Sequence, residues 1–313
     1  MNILKPITTL FRSGTVLRDM LIDAQSQDIL TYLTPNTVMF VDITNKLRKK
    51  SEEGMDTEVF GPFQTTFGNP ANLPCDLTLA REFFKTYYVP HGVKDSPHMH
   101  ILTDTPISLY AWKLSQQHHN IGALQDELDR RPTAIIQRAP MNRRWVVMNP
   151  YLKVYTRESK SEFAVICGVQ NDNVASITEW CSEARAYPMS VYPISLIGLQ
   201  KALTLQSEPL QAYIFWGNNA KFCVISHKEK GVIFAEETEV TTLLNDEYIN
   251  NVFAHIDEIA TDINVHKPTH SAYLLKTQMG ENTNDNRIIP LFATSSGLDL
   301  GDIANLYTSN YYK

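Results

Sequence analysis

From Gln211 to about Ile263 the chain runs through three short apolar segments and then one long amphipathic one, an order that few folds accommodate. The segments are Ala212-Tyr-Ile-Phe215, Phe222-Cys-Val-Ile-Ser226 and Val232-Ile-Phe-Ala235, separated by Trp216-Gly-Asn-Asn219 and His227-Lys-Glu-Lys-Gly231. β-Branched and aromatic runs broken by Gly and Asn predict an antiparallel meander. Tyr248, Ile249, Val252, Phe253, Ile256, Ile259 and Ile263 then recur at spacings of three and four, which predicts a helix with one buried face. A meander followed by such a helix begins a sheet layer.

Upstream, Phe163-Ala-Val-Ile-Cys-Gly-Val169 is continuously apolar, as expected of a strand covered on both faces. Asn171-Asp-Asn173 offers a cap for a helix through Val174, Ile177, Trp180, Cys181 and Ala184. Tyr187 to Val191 returns as a strand, and Pro193 opens a second helix through Leu205. The first half is less regular. Val38 to Val41 reads as a short strand running into Asp42-Ile-Thr-Asn45, Asp76 to Tyr88 as a helix, and His100–Leu102, Ser108–Trp112, Thr133–Ile136 and Arg144–Met148 as strands. Ile121 to Arg130 reads as a helix stopped by Pro132. Helices beside strands imply α/β layering. At 313 residues we expect two lobes: an N-terminal one over 1–160 with irregular insertions, and a C-terminal one over 161–313.

Composition excludes several classes. With 28 Lys and Arg against 34 Asp and Glu, the net charge of −6 argues against non-specific nucleic-acid binding, which draws on many cations. Cys75, Cys167, Cys181 and Cys223 are scattered without a C-x-x-C pair; buried free thiols and a reducing, cytoplasmic setting are the expectation. No apolar run has the length of a spanning helix. Met1 to Leu21 carries Lys5, Arg12 and Arg18 among apolar residues; it reads as a helix packed on its own domain, with contact to an anionic membrane face as the alternative.

Taken in order, Phe163 to Ile263 resembles the second half of an actin-like (ribonuclease H-like) ATPase fold, and specifically the PilM family of type IV pilus assembly proteins. The cytoplasmic part of the type II secretion L-protein is the related alternative. Cys167-Gly168 before a helix, Val191-Tyr-Pro193, Gly217, Gly231 and Ala272-Tyr-Leu-Leu275 carry the resemblance, in order and spacing. It implies a two-lobed α/β fold with mixed sheets flanked by helices. It also implies a nucleotide cradle of two Asp-x-Gly turns and a glycine-rich adenosine loop, where glycine admits phosphate to the backbone amides and the acid serves magnesium. Asp42-Ile43-Thr44 would be the first turn, with the acid but not the glycine; Phe215-Trp216-Gly217 would be the second, with the glycine but not the acid. The adenosine loop near Lys276 to Gly280 has Gly280 alone. Asp42, Thr44, Gly217 and Gly280 are therefore the candidate residues of a degenerate nucleotide site, with ATP and magnesium as its potential cofactors but neither expected to be required.

Other chemistry has simpler readings. His98-Met-His100 would face one way on a strand, with His91 nearby and Asp95 or Asp104 as a third ligand, so a metal site can be drawn; surface histidines are the simpler account, and no metal is expected. His118-His119 stands apart. Ser295-Ser-Gly297 lacks the G-x-S-x-G turn, and neither glycine-rich phosphate motif occurs. Arg130-Arg131, Arg138 and Arg143-Arg144 beside Trp145 read as a solvated face, or as a contact for an acidic partner or lipid; Trp112, Trp145, Trp180 and Trp216 read as core or domain-interface residues. No catalytic residue is assigned. The resemblance implies a cytoplasmic scaffold at the inner membrane of a pilus or secretion machine. It would grip the cytoplasmic tail of a bitopic partner in a groove and pass contacts to the motor ATPase. The alternative is a weak ATPase or kinase-like enzyme of the same superfold, using Asp42 with Glu236 or Glu237.

Overall fold

The computed structural model describes residues 27–34, 37–48, 58–64, 80–94, 96–104, 107–114, 121–136, 143–148, 163–265, 271–277, 285–294 and 297–311. In chain order these form β1 (Asp28–Leu33), β2 (Thr37–Asp42), α1 (Thr44–Arg48), β3 (Val59–Gln64), α2 (Ala80–Tyr87) and β4 (His98–Thr103). There follow β5 (Ile107–Lys113), α3 (Ile121–Arg130), α4 (Pro132–Ile135), β6 (Arg143–Met148) and β7 (Phe163–Gln170). Next come α5 (Asn171–Glu183), β8 (Tyr187–Pro193) and α6 (Ile194–Leu205). The meander is β9 (Leu210–Trp216), β10 (Lys221–His227) and β11 (Gly231–Thr238), with α7 (Asp246–Asp262) behind it. The last elements are β12 (Ala272–Lys276), β13 (Ile288–Pro290), β14 (Ala293–Thr294), β15 (Gly297–Leu298) and α8 (Leu300–Tyr311). Among the described residues no helix is long and apolar enough to cross a membrane.

Two compact units emerge, and they interleave along the chain where a single boundary after residue 160 was expected. One takes the described residues of Met1–Thr105, Gln170–Ile194 and Asp299–Lys313; the other takes those of Pro106–Val169 and Ser195–Leu298. Parallel pairing explains the return of the chain to the first unit, because β8 aligns on β4 with Ile101 opposite Val191.

The first unit is a five-stranded sheet in the order β3-β2-β1-β4-β8. β1 and β2 form an antiparallel hairpin from Leu33↔Val38 to Ile29↔Asp42, while β1 and β4 run parallel. The second unit repeats that plan as β11-β10-β9-β12-β13, again with an antiparallel hairpin and a parallel fourth strand. Every residue of β9 is buried. Its even positions, Leu210, Ala212, Ile214 and Trp216, pack on Ile249, Val252, Phe253, Ile256 and Ala260 of α7. Each of those large α7 side chains contributes about 1.5–3 kcal/mol of burial. The odd positions face α6, where the Tyr213 hydroxyl donates to the Ser195 carbonyl at 2.8 Å.

Both ends of α7 are closed by side chain and backbone. The Asn245 side chain accepts from the Tyr248 amide at 2.9 Å, and Asp246 and Glu247 sit in the positive first turn. At the other end Asn264 takes a left-handed φ of 61°, and the Val265 amide donates to the Ala260 carbonyl at 2.8 Å.

The second unit also holds a three-stranded sheet, β5-β7-β6. Leu124, Leu128, Ile135, Trp145, Val147 and Ile166 make its core. Gln125 of α3 lies along the edge of β6 that no other described strand pairs: its amide oxygen accepts from the Val147 N–H at 2.8 Å and its amide nitrogen donates to the Trp145 carbonyl at 3.2 Å. The strand expected over Thr133–Ile136 is instead the single helical turn α4, because Pro132 at the first helical position fixes φ and has no N–H to leave unpaired. Trp145, Trp180 and Trp216 are core residues, and Cys167, Cys181 and Cys223 are buried free thiols. Met1–Leu21, Cys75, Asp95, Arg138, His118, His119, Gly280 and Ser295 lie outside the described residues.

Gly168 of β7 marks a close approach, since a Cβ there would stand 2.4 Å from the six-membered ring of Trp145. Gly168→Ala is expected to lower unfolding stability by about 1–3 kcal/mol through overpacking, read as a reduced urea midpoint with unchanged slope.

Candidate functional site

The turn joining β9 to β10 is where the sequence places the second half of a nucleotide cradle. The Gly217 N–H donates to the Ala220 carbonyl at 3.0 Å, so it closes its own turn. Phe215 is buried, with its ring 5.3 Å from that of Phe222. A Cβ on Gly217 would come within 2.8 Å of the Phe215 ring. Glycine is thus required here by the aromatic side chain two residues earlier. On the other face Trp216 is buried, 5.0 Å from Tyr248 ring to ring, and Lys221 Nζ lies 4.3 Å over the indole. That ammonium donates to the Thr242 carbonyl at 2.6 Å, and the Thr277 amide donates to the Trp216 carbonyl at 3.0 Å.

Asp42 and Thr44 are brought together, but not in a hairpin. The Thr44 amide donates to Asp42 Oδ1 at 2.8 Å at the start of α1, and Gln27 Nε2 donates to Asp42 Oδ2 at 2.8 Å. Thr44 Oγ1 accepts from the Asp28 amide at 2.8 Å and so fixes the beginning of β1. The pairing Ile29↔Asp42 puts Asp42 at the end of the hairpin opposite its turn. The element that corresponds to the Gly217 turn is Thr34–Thr37, where the Thr34 amide donates to the Thr37 carbonyl at 2.9 Å and Thr34 Oγ1 accepts from the Thr37 amide at 3.0 Å. Asp42-Ile43-Thr44 is therefore not a strand-to-strand turn. Asp42 and Thr44 belong to one unit and Gly217 to the other. Of the acids proposed with Asp42, Glu236 and Glu237 are exposed on β11, and Glu237 accepts from Arg143 Nη1 at 3.1 Å.

A polar cluster in the first unit was only half visible in the sequence. His98 and His100 do share a face of β4, and they meet Asp28 of β1: His98 Nδ1 and His100 Nε2 lie 3.3 and 3.4 Å from Asp28 Oδ1. On its other side His100 Nδ1 is 2.7 Å from the Tyr307 hydroxyl and 3.2 Å from Ser190 Oγ, which is itself 2.9 Å from that hydroxyl. A carboxylate can only accept, so Nε2 carries the proton and Nδ1 accepts from Tyr307. Among the described residues no group of three His, Cys, Asp or Glu is placed to hold a metal ion.

Ser190, His100 and Asp28 are linked in the order of a hydrolytic triad. Yet Ser190 and His100 are buried and Tyr307 occupies the same ring nitrogen, so the cluster holds α8 to β4 and β8. Burial alone would raise the Asp28 carboxyl, but hydrogen bonds from His100 and His98 outweigh it and hold the group well below the usual carboxylate range. Burial lowers His100, with Asp28 opposing only in part. The buried thiols of Cys167, Cys181 and Cys223 are pushed up to about 12 by burial and are poor nucleophiles.

No family model matches the chain, and no curated protein matches it in sequence. Solved structures do. One, described as a PilM-PilN type IV pilus biogenesis complex, matches over 91% of this chain and 98% of that one at 11% identity, with a TM-score of 0.51. A Bacteroides thetaiotaomicron protein with an actin-like ATPase fold matches over 92% and 99% at 9% identity, with a TM-score of 0.46. The cytoplasmic domain of EpsL, an inner membrane component of the Vibrio cholerae type II secretion system, matches over 91% and 95% at 10% identity, with a TM-score of 0.43. The chain has the actin-like ATPase fold. Its two units share one sheet plan, and the β9–β10 turn of the second is closed over the Phe215 ring.

Both shifts in the polar cluster act in one direction on stability. A group whose folded pKa is depressed contributes stability above its unfolded value and loses it as pH falls through the folded one. The unfolded values are about 6.5 for His and about 3.9 for Asp. The thermal midpoint is therefore expected to fall between pH 7 and pH 5 as the unfolded chain takes up the His100 proton, and again below pH 4 through Asp28. His100→Asn should cost about 1–3 kcal/mol at pH 7 through unpaired partners and flatten the upper limb of the profile, measured by scanning calorimetry across pH.

Proposed function

We propose that this chain is a cytoplasmic scaffold of a type IV pilus or type II secretion-like platform at the inner membrane. It holds the cytoplasmic tail of a membrane partner and works without turning over nucleotide. The observation that carries the reading is the filled turn after β9. Phe215 stands at the position of the second cradle acid and packs against Gly217, whose amide is engaged within the turn. A phosphate would need that amide free and a carboxylate for its magnesium. Asp42, the acid that the sequence offers for the first half, lies at the far end of its hairpin, held by Gln27 and the Thr44 amide. The structure that this chain resembles over nearly its whole length works in a complex with a second protein, which supports partner capture. Capture of an extended tail draws on main-chain and groove complementarity and needs no catalytic group. Membrane attachment would then come through the partner, with onward contact to the motor ATPase.

Isothermal titration against cytoplasmic tail peptides of bitopic pilus and secretion proteins is expected to give a micromolar or tighter complex. ATP with magnesium is expected to give no heat. A magnesium-dependent nucleotide complex, abolished by Asp42→Ala, would replace this reading with that of a weak ATPase or kinase-like enzyme.

A further inference from the structure

The connection from β11 into α7 presents apolar side chains within a one-signed field. Between residues 231 and 265 there are eight Asp and Glu and no Lys or Arg; with the whole chain at −6, the remainder carries +2. Val240 and Leu243, 49% and 61% exposed, stand three residues apart in this connection. Glu236, Glu239, Asp246 and Glu247 around them are all exposed.

This exposure is built in. The Thr242 amide donates to the Glu239 carbonyl at 2.9 Å, closing a turn, and the buried Lys221 ammonium holds the Thr242 carbonyl from beneath. Leu244 is buried in the core and Asn245 caps α7. The backbone is thus pinned on both sides of Leu243, and the two apolar side chains are directed outward by it. The cations close by are already engaged: Arg143 pairs with Glu237, and Arg287 stacks on Phe253 while paired to Asp285. Lys228 and Lys230 belong to the β10–β11 turn, at the opposite end of β11.

We infer that the β11–α7 connection is a docking surface for a basic, apolar-anchored segment, namely the Lys- and Arg-bearing cytoplasmic tail of an inner-membrane partner. The inference rests on the scaffold reading above and names the chemistry of its partner. Short cytoplasmic segments next to membrane spans carry an excess of Lys and Arg, which is the complement of this surface. Val240 and Leu243 supply the desolvated contact that a purely electrostatic encounter lacks, and the acids steer approach and set register. An anionic lipid surface would be repelled by the same face.

The probe is a fluorescein-labelled basic amphipathic peptide with Lys and Leu at helical spacing, followed by anisotropy. It is compared with a scrambled peptide of the same composition and with a Glu-for-Lys counterpart. The full chain should bind the amphipathic peptide, more weakly in high salt, and leave the Glu peptide unbound. Val240→Ser with Leu243→Ser, and separately Glu236→Lys with Glu239→Lys, should each weaken binding about tenfold without moving the thermal midpoint. Binding unchanged in both variants, or equal binding of the scrambled peptide, overturns the surface. If natural tails bind wild type and both variants alike, the surface falls and the scaffold reading stands. If no natural tail binds while the synthetic peptide responds to both variants, the scaffold reading falls and the surface stands. If nothing binds, both fall.

Discussion

A strand with no exposed residue must find every partner inside the protein, and β9 is such a strand. Its amides and carbonyls are shared between β10 on one side and β12 on the other, in opposite directions. Its even side chains are covered by α7, and its odd ones face α6. An unpaired buried backbone group costs more than any single contact here returns, so the flanking strands and helices are obligatory once β9 forms. The turn that follows is part of the same constraint: with Phe215 and Trp216 directed to opposite buried faces, the chain has to reverse over a glycine.

That turn shows what a close backbone approach serves in this chain. Two of the glycines that carry the resemblance, Gly168 and Gly217, lie against aromatic rings, those of Trp145 and Phe215. Close backbone approach persists in each case, and what approaches is a side chain of the protein itself. The buried polar capacity of the first unit is likewise turned inward, through Asp28, His100, Ser190 and Tyr307, and serves to fasten a helix.

How much could be read in the sequence depended on whether neighbours in space were neighbours in the chain. β9, β10, β11 and α7 were legible because their apolar periodicity and their Gly and Asn breaks are local. β1 was missed: Asp28-Ile-Leu-Thr-Tyr-Leu33 is short, and it becomes a central strand only through parallel pairing with β4, some seventy residues on. Without β1, Asp42 follows the first strand that the sequence shows, whereas in the structure it ends β2 opposite Ile29. The shared face of His98 and His100 followed from strand alternation, but Tyr307 lies 207 residues away from His100, and no local pattern announces it.

Gln125 has a consequence for the company this protein can keep. By giving β6 the hydrogen bonds that another strand would give, it seals a border that could otherwise template growth from chain to chain. Copies of the chain brought close together would meet there through side chains, not by zipping backbone to backbone along that rim.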